Sequence, residues 1–144
     1  MPQLTLDASQ TILAAALKTA RERKMKPLAV AVYDERGALR ALGSEDGTSL
    51  KRAEIAMGKA YGALALGVGS RAIHKMALDR PYFVAAASHV VGGSLVPVPG
   101  GVLIKDAQGA ILGAVGISGD TSDNDEIAAA AGIEAAGFVF DAGA

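Results

Sequence analysis

The chain has 144 residues, with 14 basic and 15 acidic side chains and a net charge of −1. That length suits one domain spanning 1–144, and the well-mixed charge shows no basic stripe of the kind a nucleic-acid binder carries. No apolar run is long enough to cross a bilayer, so no membrane span is expected.

The absence of cysteine removes disulfides, thiolate chemistry and Cys-ligated metals. The opening MPQLTLDASQ lacks the basic and apolar regions of a signal peptide, so a cytoplasmic setting is expected, although a mature exported chain would read the same way. With three Phe, three Tyr and no Trp, the core must come from small and aliphatic side chains. Burying alanine contributes little per residue, so a homo-oligomeric interface is expected to supplement it.

In chain order, a first helix is predicted from Ala8 to Lys24, capped by Asp7, with Ile12, Leu13, Ala16, Leu17 and Ala20 at helical spacing. Leu28 to Asp34 reads as a strand, Glu35-Arg36-Gly37 as a turn and Ala38 to Gly43 as the return strand. A polar loop, Ser44 to Ser49, leads to a second helix from Leu50 to Leu66. Ser70 opens a third helix that must end before Pro81. Tyr82 to Val91 is apolar and Ala-rich, and its pattern fits a helical turn or extended chain. Val102 to Asp106 and Ala110 to Ser118 read as a second hairpin, Ile127 to Ala136 as the last helix, and Gly137 to Asp141 as a short edge strand. Ser122 is the expected cap of that helix, with Asp125 at its third position. Two hairpins separated by helices predict an α/β fold of the α+β kind: an antiparallel sheet of five strands with helices packed on it.

Four segments, VAVYDERGALRALGSEDGTSL, AEIAMGKAYGALALG, VPVPGGVLIKDAQGAILGAVGISG and SDNDEIAAAAGIEAAG, together resemble the GlcG/HbpS family, which includes the C-terminal domain of PduO-type proteins. The distinctive parts are the tract Pro99 to Val102 and the G-x-S-G of Gly116 to Gly119 followed by Asp125-Glu126. The resemblance covers nearly the whole chain and is least distinctive from Val68 to Ser94. It implies a profilin-like fold, frequent homo-oligomers and haem or corrinoid association in some members. Other members stand beside catabolic enzymes, so the family constrains fold more than function.

Lys59 is the most conspicuous charge. Its helical neighbours Ile55, Ala56, Gly62 and Ala63 are small or apolar, and it matches the family's helix-two lysine. It can hold a carboxylate or move a proton, or it can lie on the surface with its stem on apolar ground. Pro99, Gly100 and Gly101 can aim backbone N–H groups at a carboxylate, phosphate or propionate, or simply form a turn. Ser118 and Gly119 end a strand beside a helix start, where ligands commonly sit. Asp125 is read first as a capping residue and second as a ligand-site acid, which leaves Glu126 as the freer carboxylate. His74 and His89 lack metal-site spacing but can offer haem an axial imidazole. Met57 and Met76 read as core residues, and Asp120, Asp123 and Asp125 lack calcium-loop spacing, so no metal site is expected.

Two functions follow from this reading. The first is a small-ligand-binding protein for haem, another tetrapyrrole or an anionic aromatic metabolite, held by Lys59 and the Pro99–Gly101 loop. The second is a cofactor-independent lyase or tautomerase in which Lys59 and Glu126 transfer protons. A purely structural oligomeric module is the remaining possibility.

Overall fold

The computed structural model describes residues 3–144. Helix α1 (Leu6–Glu22) starts two residues before the predicted boundary. Thr5 is extended and its hydroxyl accepts the Ala8 N–H at 3.0 Å, so Thr5, not Asp7, is the cap. Asp7 instead lies in the first turn, where its charge favours the helix dipole. At the other end Lys24 takes a left-handed conformation (φ 57°), and Met25 N–H closes on Ala20 O. This Schellman closure ends the helix short of Lys24.

Strands β1 (Ala29–Asp34) and β2 (Leu39–Ser44) form the first hairpin. Helices α2 (Arg52–Leu66), α3 (Ser70–Asp79) and α4 (Pro81–Val90) follow. The ambiguous segment is therefore helical: Pro81 opens it, and Val84 and Ala87 pack with Ile73 and Leu95 in a small core of their own. Strands β3 (Gly101–Lys105) and β4 (Ile111–Ser118) make the second hairpin, α5 (Ser122–Ala135) comes next, and β5 (Val139–Asp141) ends the chain's regular structure. Thr121, not Ser122, caps α5, accepting the Asn124 N–H at 3.1 Å, which places Asp125 at the fourth helical position.

All strand pairs are antiparallel and the order is β2-β1-β4-β3-β5, an open sheet with β5 on one edge. Alternation splits the core into two faces. Val30, Val32, Val102, Ile104, Val115 and Ile117 meet α1 and α5, while Ala29, Ala31, Leu103 and Ala114 meet Ala56, Ala60 and Ala63 of α2.

Helix α2 lies unusually deep on the sheet. Gly101 and Gly116 are register partners in β3 and β4, and both face α2. A Cβ on Gly101 would collide with the Lys59 carbonyl oxygen, and one on Gly116 with the Ala56 carbonyl oxygen. The bare pair forms the seat on which the helix backbone rests. This close approach carries Lys59 into the interior.

Helix α5 buries Ala128, Ala129, Gly132 and Ile133 but leaves Ile127 and Ala135 exposed. Among the described residues no helix is long and apolar enough to cross a membrane.

Candidate functional site

Lys59 is 2% exposed and Asp125 1%. The Lys59 ammonium donates to Asp125 Oδ2 at 3.0 Å and to the Ile117 carbonyl at 2.8 Å. The acidic partner absent from Lys59's own helix is thus supplied by α5, across the end of β4. Burial pushes the ammonium below its ordinary value, with Asp125 opposing. Burial likewise pushes the Asp125 carboxyl up, with Lys59 pulling it back. In this geometry the Lys59 ammonium is directed at two protein acceptors in the interior.

The other predicted groups are also engaged. Glu126, expected to be free, is gripped by Arg71 of α3: Nε donates to Oε1 at 2.9 Å and Nη2 to Oε2 at 3.2 Å. The same guanidinium also meets Asp123. Neither half of the expected Lys59–Glu126 proton-transfer pair is therefore presented as a free acid or base. In the Pro99–Gly101 tract, Gly101 N–H donates to Ser70 Oγ at 2.7 Å, and Ser70 donates on to Val98 O. Gly100 O accepts the Ile117 N–H. Pro99, Gly100 and Gly101 are all buried, and Gly101 lies directly beneath the α2 backbone.

Gly119 lines a cavity. At the end of β4 lies a cleft of about 230 Å³. Lys26 and Pro27 line it from the α1–β1 link, Gly47, Thr48 and Ser49 from the β2–α2 loop, Arg52 from the first turn of α2, and Gly119 from below. Gly119 has φ +150°, and a side chain there would strike the Pro27 carbonyl. Buried Ser118 stands behind the cleft, its Oγ accepting from Arg52 Nη1 at 3.1 Å.

Arg52 is half-buried and, among the described residues, pairs with no carboxylate. The other half-buried arginines, Arg40 and Arg71, do pair: Arg40 with Asp34 and Arg71 with Glu126 and Asp123. No side chain caps the α2 N-terminus beside Arg52, so the positive end of the helix adds to its field. Arg52 and this helix end thus bring positive charge to one side of the cleft.

Sequence reasoning missed Lys26, Thr48, Ser49 and Arg52. The available signal was a polar loop entering a helix at Lys51-Arg52, where a capping Ser, Thr or Asp is usual.

His89 is exposed on α4 and lines an open cavity of about 450 Å³ with Ala85, Ser88, Gly92 and Gly93. His74 is half-buried on α3 and does not line that cavity. Among the described residues no three His, Asp or Glu side chains cluster as a metal site.

No curated protein matches the chain significantly. Several solved structures share its fold. PduOC, crystallised as a haem complex, superposes with a TM-score of 0.82 at 22% identity, over 93% of this chain and 95% of that one. Klebsiella pneumoniae protein ORFY gives 0.82 at 24% identity, over 95% and 93%. HbpS gives 0.79 at 25% identity, over 93% and 90%. The family described as haem degrading protein HbpS-like matches residues 4–134. The chain belongs to this HbpS-like family.

Proposed function

We propose that this protein binds a small carboxylate-bearing molecule in the cleft over Gly119, with Arg52 as the recognition cation. The observation that carries this reading is the half-buried Arg52 guanidinium, held by Ser118 and left without a carboxylate. A guanidinium fork matches a carboxylate with two parallel N–H donors, and partial burial strengthens that bond. Lys26 adds a second positive charge, Thr48 and Ser49 offer hydroxyls, and Pro27 supplies an apolar wall. At about 230 Å³ the cleft is below the usual range for drug-sized ligands. It suits a benzoate-sized anion or a single acid arm of something larger.

Calorimetry with benzoate, and with inorganic phosphate as the comparison anion, tests this. Saturable benzoate binding is expected, weakened at least about tenfold in Arg52→Gln, as the loss of a charged hydrogen bond requires. The variant should melt within a few degrees of the wild type. Equal affinity in both proteins would remove Arg52 from the site.

A second reading rests on His89. Its exposed imidazole, beside a cavity walled by Ala85, Gly92 and Gly93, leaves room for a flat macrocycle and offers an axial donor. Haem would supply its own iron chemistry there. The family description and the PduOC haem complex favour this ligand. Haem titration of His89→Ala is the test: an unchanged Soret band and affinity would exclude that residue.

A further inference from the structure

The buried pair has more partners than packing requires. From Lys59 Nζ the contact runs to Asp125 Oδ2 at 3.0 Å. Asp125 Oδ1 accepts the Asp120 N–H at 3.0 Å, and Asp120 Oδ2 accepts the Lys26 N–H at 2.7 Å. Three bonds thus connect the interior to two segments that line the cleft, the turn that carries Gly119 and the segment Lys26-Pro27. Asp120 Oδ1 also takes the Thr121 N–H and the Asn124 amide. Helix α2 contributes at both levels: Arg52, two turns before Lys59 on the same face, reaches Ser118 in the same strand end.

We propose that Lys59 and Asp125 are positioning residues that clamp the Gly119–Asp120 turn against Lys26-Pro27 and so set the shape of the anion cleft. The inference rests on the cleft reading above. Stability alone does not account for the pair, because two apolar residues of similar volume fill such a site at no desolvation cost. What apolar residues cannot do is accept the Asp120 N–H. Asp125 does this with one oxygen while Lys59 neutralises and orients the other. The pair touches no ligand itself.

The test compares the full chain in three forms: wild type, Lys59→Met with Asp125→Asn, and Lys59→Met with Asp125→Leu. Both double variants remove both charges, so neither leaves a lone buried ion. Asparagine keeps an oxygen for the Asp120 N–H and leucine does not. Amide hydrogen exchange at Asp120 reads the clamp without any ligand, and benzoate calorimetry reads the cleft. In the Met/Leu variant, exchange at Asp120 should rise at least about tenfold and benzoate Kd should rise at least about tenfold. The Met/Asn variant should stay within about threefold of wild type in both.

Equal exchange at Asp120 in the two double variants overturns the clamp. Faster exchange with unchanged benzoate affinity overturns its link to the cleft. Wild-type protein that fails to bind benzoate, with the exchange pattern intact, overturns the cleft reading while the positioning of the turn stands. Asp120→Ala breaks the last bond from a half-exposed position, and thermal melting checks that the variant is folded. It must weaken benzoate as the Met/Leu variant does, and unchanged affinity there also overturns the proposal.

Discussion

Replacing Lys59 by methionine keeps the stem and removes the charge. On a surface lysine this would be nearly silent. Here it leaves the Asp125 carboxylate, 1% exposed, with no cation in a closed interior. Breaking one side of a buried pair costs about 3–5 kcal/mol. For a domain near this length each kcal/mol moves the melting temperature by roughly 3–4 °C, so Lys59→Met should melt roughly 10–20 °C below wild type. Adding Asp125→Leu removes the stranded charge and should recover most or all of that loss.

The pH dependence has a definite sign. Burial raises Asp125 above its unfolded value of 3.8, so its contribution is most favourable below that value and weakens as pH rises through the folded-state pKa. Burial lowers Lys59 below 10.5, so its contribution is most favourable above that value and weakens as pH falls through the folded-state pKa. The stability of wild type relative to the Met/Leu double variant should therefore change with pH on both flanks, in the two directions just given. Urea unfolding of wild type, Lys59→Met, Asp125→Leu and the double variant at several pH values is the assay. A Lys59→Met variant melting within a few degrees of wild type would show that Asp125 sheds its charge at no cost, and would refute this account of the pair.

Three further outcomes are expected. Gly101→Ala drives a methyl into the Lys59 carbonyl and should cost at least about 3 kcal/mol in urea unfolding, beyond ordinary overpacking; a loss under about 1 kcal/mol would mean that α2 can lift off its seat. Asp120 is held down to about 2 by the Lys26 and Thr121 N–H groups and the Asn124 amide, so its stabilisation is present above 3.8 and lost as pH falls through about 2; Asp120→Asn should flatten that part of the acid-unfolding curve, and identical curves would show the contact to be idle. Leu78, Tyr82, Phe83 and Val90 are exposed along α3 and α4, and self-association is expected to cover them; a monomeric mass by light scattering at micromolar concentration would count against it.

Elements with a polar background were readable from the residues. The first helix and both hairpins show apolar positions at spacing 3.6 or bounded by Gly turns, and their boundaries move by only one or two residues in the structure. Helix α4 was not, because Tyr82, Phe83, Ala85, Ala86 and Val90 are apolar and exposed. With only Val84 and Ala87 buried, no stripe contrasts with a polar face. At the start of α5 the cap was read one residue late, at Ser122 for Thr121, while the apolar pattern itself begins only at Ile127 because SDND is polar throughout.

The site was legible in its unusual residues and not in their partners. Lys59 stood out by its helical neighbours, but its counter-ion lies 66 residues away, beyond any search along one helix. The two glycines of Pro99-Gly100-Gly101 exceed the needs of a turn, and the surplus looked like an anion cradle. Its meaning depends on strand register, because Gly101 acquires its role only by facing Gly116 beneath the α2 backbone. Depth then separates the two α2 cations. Arg52 and Lys59 share one helix face, so periodicity treats them alike. Arg52 sits at the rim, where a guanidinium keeps part of its hydration and can exchange it for a ligand anion. Lys59 sits two turns further in, where an ammonium without a fixed partner would be neutralised, so the fold had to supply Asp125. A carboxylate placed there for charge has a second oxygen to satisfy, and in this chain it meets the N–H of the turn that lines the cleft.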